Sequence, residues 1–236
     1  MNDRPAGTKT RDALVAALTF AAGLIDALSF LALGGVFSSF MSGNTVLLGL
    51  RIGLGDFPLA LNSMVAILGY IAGVALGTNI GYQSSRSDKI WPFAVTKILS
   101  AEFIIIAIFT SVGYIAGRSS SEVVYLLILL ASTSMGMQAT AVRGLGISGV
   151  TSTYVTGTWT SFIIGVISLL RSRSPQGTLK RKQDTFVQAV ILAAYIVGAI
   201  TGGLVGTHFL LEATIIPGST VGIVLIVAWI RFRQIG

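Results

Sequence analysis

The chain has 236 residues, 53% of them hydrophobic and only 11% charged, with a net charge of +7. Soluble domains carry about 25% charged residues, so this composition excludes a water-soluble globule. It contains no cysteine, which excludes disulfides, thiolate metal sites and cysteine nucleophiles.

In chain order, residues 1–11 read as a short polar tail carrying Arg4, Lys9 and Arg11. Eight apolar segments follow, at 12–33, 36–53, 57–82, 91–116, 122–143, 150–171, 184–208 and 213–231. The first is too long for a signal-peptide core and reads as a retained helix. From Ala13 to Leu33 its one charge is Asp26. Several runs reach the roughly 20 residues that cross a bilayer as a helix. Ser84–Lys89, Gly117–Ser121 and Ser172–Lys182 punctuate them.

The basic residues sit mostly between the apolar runs, where the positive-inside rule puts them, and this argues against nucleic-acid binding. Arg171, Arg173, Lys180, Arg181 and Lys182 form the densest cluster, in an expected loop with Ser174, Pro175 and Gly177. That loop and both termini are expected to be cytoplasmic, which requires an even number of crossings.

An internal repeat divides the chain. Residues 35–43 align without a gap on 149–157. Gly35, Val36, Ser38 and Gly43 meet identical residues in Gly149, Val150, Ser152 and Gly157. Ser39, Phe40, Met41 and Ser42 meet similar ones in Thr153, Tyr154, Val155 and Thr156. Gly69, Gly73, Gly77 and Gly81 recur every fourth residue, as do Gly198, Gly202 and Gly206. Such stripes let helix backbones approach closely. The expected halves are 12–118 and 119–236, within one membrane domain. Eight crossings make them parallel and put Arg86, Lys89 and Arg143 outside. Six make them inverted, with the second segment of each half dipping in and returning, and put Arg51 and Arg118 outside.

The repeated element is unusual for a membrane span. Glycines and hydroxyls surround Ser42, Gly43, Asn44 and Thr45 in the first copy and Thr156, Gly157 and Thr158 in the second. The expected form is a discontinuous helix in each half: an extended stretch, then a short helix capped by Ser42 or Thr156. Irregular backbone at that depth must be buried in protein or line a cavity. A half-helix N-terminus suits an anionic group, and paired breaks in two repeats point to a transporter site.

Asp26 is the second candidate, since a carboxylate at a helix centre costs about 2.5–3.5 kcal/mol to insert. It fits a coupling proton, a bound cation or a buried ion-pair partner. Gln138 is a polar residue in the corresponding region of the fifth segment. Arg143, beside Gly144 and Gly146, fits an anion, Asp26 or the interface. Lys97 and Glu102 are about 140° apart on a helix and do not pair; Lys97 is expected to snorkel. His208 and Glu212 lie near a segment end, and a lone histidine there reads as an interface residue. No metal spacing, phosphate loop or nucleophile elbow is present, and no cofactor is expected. The sequence lacks a convincing catalytic set, which argues against an enzyme.

Three stretches carry a family resemblance: Gly23-Leu-Ile-Asp-Ala-Leu-Ser-Phe-Leu, Gly34-Gly-Val-Phe-Ser-Ser-Phe-Met-Ser-Gly-Asn-Thr and Gly136-Met-Gln-Ala-Thr-Ala-Val-Arg. With Val150-Thr-Ser-Thr-Tyr-Val-Thr-Gly-Thr, they resemble the signatures of the YoaK-like bacterial membrane proteins over nearly the whole chain. Ala139 departs from the Asn usual in that family after the glutamine. The resemblance implies a multi-pass protein of the bacterial inner membrane and supplies no substrate. The strand-then-half-helix pattern is also similar to anion and nucleobase transporters of the sulfate permease type.

The sequence therefore reads as an all-α polytopic membrane protein of six to eight segments. The leading function is secondary transport of a small, anionic solute, with the two breaks as site and Asp26 as coupling residue. A passive channel and a non-transporting protein acting through partners are the alternatives. The bilayer and a small solute are the expected partners, and a homo-oligomer is compatible with this reading.

Overall fold

The computed structural model describes residues 5–81, 89–150, 155–171, 178–206 and 212–232. Thr151 to Tyr154 of the second repeat copy, Arg173, Ser174, Pro175 and Gly177 of the basic segment, and His208 lie outside them. The described residues are helical with no strand: α1 (Ala6–Ala32), α2 (Met41–Gly53), α3 (Phe57–Gly81), α4 (Phe93–Ala116), α5 (Ser121–Arg143), α6 (Val155–Arg171), α7 (Thr178–Gly206) and α8 (Ile215–Phe232), with a single 3₁₀ turn at Glu212–Thr214.

Six of these helices, all but α2 and α6, are long and apolar enough to cross a membrane. Their outward faces remain apolar, as at Leu68, Ile71, Ile104, Ile108, Ile200, Leu204, Ile223 and Ile226. Water would not tolerate such a surface, whereas lipid would. At 13 residues α2 spans about 20 Å, short of the ~30 Å hydrocarbon core.

Two boundaries differ from the sequence expectation. The first helix begins at Ala6, directly after Pro5, so most of the expected tail is helical; proline suits a helix start because it has no N–H to leave unpaired. The seventh begins at Thr178, so Lys180, Arg181 and Lys182 lie in a helix and not in a loop. Leu, Lys, Arg and Gln are strong helix formers, and they carry α7 beyond its apolar run.

Helices α1 and α5 form the inner pair. α7 packs along α1 and α3 along α5, while α8 covers α1 and α4 covers α5. α4 meets α8, and α2 and α6 lean on α3 and α7 respectively. Glycines set the two long contacts. A β-carbon at Gly23 would overlap the Tyr195 carbonyl, and one at Gly198 the Phe20 carbonyl. Gly136 meets the Tyr70 carbonyl, and Gly73 meets that of Thr133, in the same way. The stripes read from the sequence are therefore the seams of α1–α7 and α3–α5.

The chain reverses after α1 at Gly34 and Gly35, whose φ values of 76° and 68° favour glycine. Arg51, near the end of α2, returns to this turn. Its Nη2 donates to the Gly34 and Gly35 carbonyls at 2.9 Å. Its Nη1 donates to the Leu59 carbonyl at 2.8 Å and to Ser63 Oγ at 2.9 Å. Arg118, just beyond α4, donates to the Ala32 carbonyl at 3.1 Å. The C-terminal ends of α1, α2 and α4 thus meet on one side of the bundle. The chain returns to that side between Ala32 and Arg51 instead of crossing.

Candidate functional site

Residues 33–40 are not helical and fold back along α1. Side chains of α1 hold them at Ser38 and Ser39. Ser29 and Ser38 share a hydrogen bond of 2.6 Å between their hydroxyls. Asp26 Oδ1 accepts the Ser39 N–H at 2.7 Å, and Oδ2 accepts the Ser39 hydroxyl at 2.6 Å. The Tyr195 hydroxyl on α7 donates to the same Oδ2 at 2.6 Å. Asp26 is buried, and three donors are what an ionised carboxylate needs when removed from water.

The repeated motif has a physical role at each of several positions. Extended backbone at membrane depth needs a partner for its N–H and C=O. Asn44 supplies both: its Oδ1 accepts the Phe37 N–H at 2.9 Å, and its Nδ2 donates to the Phe37 carbonyl at 2.6 Å. A side-chain amide carries one acceptor and two donors, so it can stand in for a neighbouring strand. Phe37 stacks on Phe30 at 5.1 Å and meets Phe40 edge-on at 5.4 Å. Gly43 makes room for the Phe40 ring, which a β-carbon there would overlap.

The expected capping by Ser42 is corrected. Helix α2 starts at Met41, and its cap residue, Phe40, makes no side-chain cap bond. Ser42 and Thr45 are exposed, and the Thr45 hydroxyl donates to the Met41 carbonyl at 2.9 Å within its own helix. Thr156 is the second residue of α6 and is also exposed. A carboxyl from α1, that of Asp26, bonds Ser39 two residues before this helix begins.

The other candidates separate into two places. Gln138 is fully buried on α5, and its Nε2 donates to the Leu18 carbonyl at 3.0 Å, tying the inner helices together. Arg143 does not meet Asp26. It is exposed at the end of α5 and lines a cavity of about 280 Å³ with Gly146, Gly149, Gly157, Thr158 and Ser161. Thr158 is buried in that wall. Helices α2 and α6 make no contact with each other among the described residues, so the first and second sets lie apart. Lys97 lies over the Phe93 ring at 5.1 Å, one turn toward its helix end, as snorkelling requires.

Sequence reasoning missed Tyr195, although it precedes Gly198 by three residues as Tyr70 precedes Gly73. It also treated Arg51 only as a topology marker.

Residues 14–228 match the family described as "Protein of unknown function (DUF1275)". The chain belongs to this family. It is 37% identical over 199 residues to the "UPF0700 transmembrane protein YoaK" of Bacillus subtilis (strain 168), covering 84% of this chain and 85% of that protein. No solved structure matches. Membership and the six apolar helices together make this member of DUF1275 a transmembrane protein, and the YoaK-like resemblance read from the sequence holds.

Proposed function

We propose that the protein is a secondary transporter of a small anionic solute in the bacterial inner membrane, with both termini cytoplasmic. Its two halves are inverted repeats, each with one discontinuous helix. The neighbour relations support this division, because exchanging α1–α4 with α5–α8 maps α1–α7 onto α5–α3 and α1–α8 onto α5–α4.

The observation that carries the reading is the unequal state of the two breaks. The first is closed by an internal anion, Asp26, bonded to Ser39 and Tyr195. The matching place on α5 is Thr140 in the repeat register, which leaves the start of α6 without a carboxylate of its own. There the chain instead presents Arg143, Gly157, Thr158 and Ser161 around a cavity. The same register sets Gly165 opposite Arg51. Where Arg51 fills the first half, a second cavity of about 500 Å³ opens beside Gly149, Ser161, Gly165, Lys180, Arg181 and Asp184, two cations against one carboxylate. Positive side chains and a helix start together suit a small anion.

In this reading Asp26 couples solute movement to a proton or cation, since taking one up competes with the Ser39 and Tyr195 donors and frees the 33–40 segment. The test is uptake of a panel of small carboxylates and inorganic anions into proteoliposomes, wild type against Asp26→Asn. Gradient-driven uptake that Asp26→Asn abolishes is the expected result. Equal flux from both proteins removes Asp26 from the mechanism, and flux indifferent to an imposed proton gradient makes the protein a channel.

A further inference from the structure

The apolar core holds a second carboxylate, and its surroundings are the opposite of those of Asp26. Glu102 sits nine residues into α4, about 14 Å from the helix start. It is completely buried, and neither carboxylate oxygen has a hydrogen-bond partner among the described residues. The rest of the buried face of α4 is Ala94, Val95, Ile98, Leu99, Ile106, Phe109 and Gly113.

Among the described side chains, the helices packed on α4 bring no charge to it. On α8, Gly222 and Gly218 approach Phe103 and Ile106, so the facing residues at this level are Val221 and Val224. Arg231 lies in the last turn of α8. On α5 the charged residues are Glu122 in the first turn and Arg143 in the last, with Tyr125 one turn in from the start. Tyr70 on α3 makes no bond to Glu102. On α4 itself Lys97 is turned toward Phe93, and Tyr114 lies near the C-terminal end. The Glu212–Thr214 turn reaches α4 at Thr110, two turns away.

An ionised carboxylate so placed would bear an uncompensated desolvation cost of many kcal/mol, which a protein removes by protonating the group. A hard cation is the other remedy, but it demands several oxygen ligands, and this face supplies only the carboxylate. Were neutrality all that is required, glutamine or leucine would serve, and ionisable residues at this depth mark proton and ion pathways.

We propose that Glu102 is a proton-binding site of the membrane domain, which carries its proton in the resting protein and exchanges it with the aqueous phase. This stands apart from the transport reading and from the role of Asp26, and its test requires no solute. Full-length protein in liposomes is treated with dicyclohexylcarbodiimide, a membrane-soluble reagent that takes up the proton of a neutral carboxyl and leaves an N-acylurea. The adduct is expected on the peptide containing Glu102 and is lost in Glu102→Gln. In infrared spectra of the untreated protein, a protonated-carboxyl C=O band is expected that shifts in D₂O and disappears in Glu102→Gln. An unlabelled Glu102 peptide, with a spectrum that Glu102→Gln leaves unchanged, would overturn the proposal. A band that Glu102→Gln removes but D₂O never shifts would overturn it too, making Glu102 a sealed structural acid.

Discussion

Asp26 and Asn44 explain why a polar, non-helical stretch survives inside an apolar bundle. Each satisfies backbone groups that lipid cannot. Removing the Tyr195 hydroxyl takes one of three donors from Asp26. Tyr195→Phe is therefore expected to destabilise by about 1–2 kcal/mol, between the value of a charge-assisted bond and that of typical membrane side-chain bonds. Asp26→Asn turns an amide NH₂ toward groups that donate, and a loss of about 2–3 kcal/mol is expected. Asn44→Ala leaves both Phe37 main-chain groups unpaired, with a similar loss. Unfolding in detergent, followed by helical signal, ranks the three. A Tyr195→Phe protein as stable as wild type would show that this bond does not hold the 33–40 segment.

At the scale of elements, two glycine seams organise the bundle. Gly198 touches the backbone of α1, whereas Gly203, five residues on, faces open space. Gly198→Ala must push α1 and α7 apart, because its new carbon would meet the Phe20 carbonyl and not a flexible side chain. A loss of about 1–3 kcal/mol is expected. Gly203→Ala is expected to be neutral or slightly stabilising, since alanine favours the helix by about 1 kcal/mol over glycine. The same denaturation experiment separates them, and equal behaviour would remove the seam from the account. The stripes were legible in the sequence as a period of four. Their partners were not, because nothing in the spacing of Gly198 says that Phe20 lies across from it.

At the scale of the whole molecule, the bonds of Arg51 and Arg118 decide the path of the chain. They bring residues near Ala32, Arg51 and Arg118 to one side. Because the protein has no cysteine, single cysteines can report this directly. Asp56→Cys and Ser119→Cys are expected to react with a membrane-impermeant maleimide from one side of the membrane, and Lys89→Cys from the other. Reaction of Asp56→Cys and Ser119→Cys from opposite sides would overturn the path described. Charge counting left six and eight crossings open, since each leaves some basic residues outside. Hydrogen bonds between residues 17 and 86 positions apart distinguish them, and no local pattern contains such pairs.

What the sequence determined by itself was the membrane class, the helix positions apart from six more residues at the starts of α1 and α7, and the places where polar residues interrupt the apolar runs. Those follow from local composition, because each helix satisfies its own backbone and each span must match the bilayer. The expected Ser42 cap failed because α2 begins one residue earlier, at Met41, which leaves Ser42 inside the helix and exposed. Tertiary structure alone decided that Asp26 is bonded through Tyr195 to α7, that Ser42 and Thr45 face outward, and that Glu102 has no partner. Each of these depends on which helix faces which, and that is set by close backbone contact between glycines far apart in the chain.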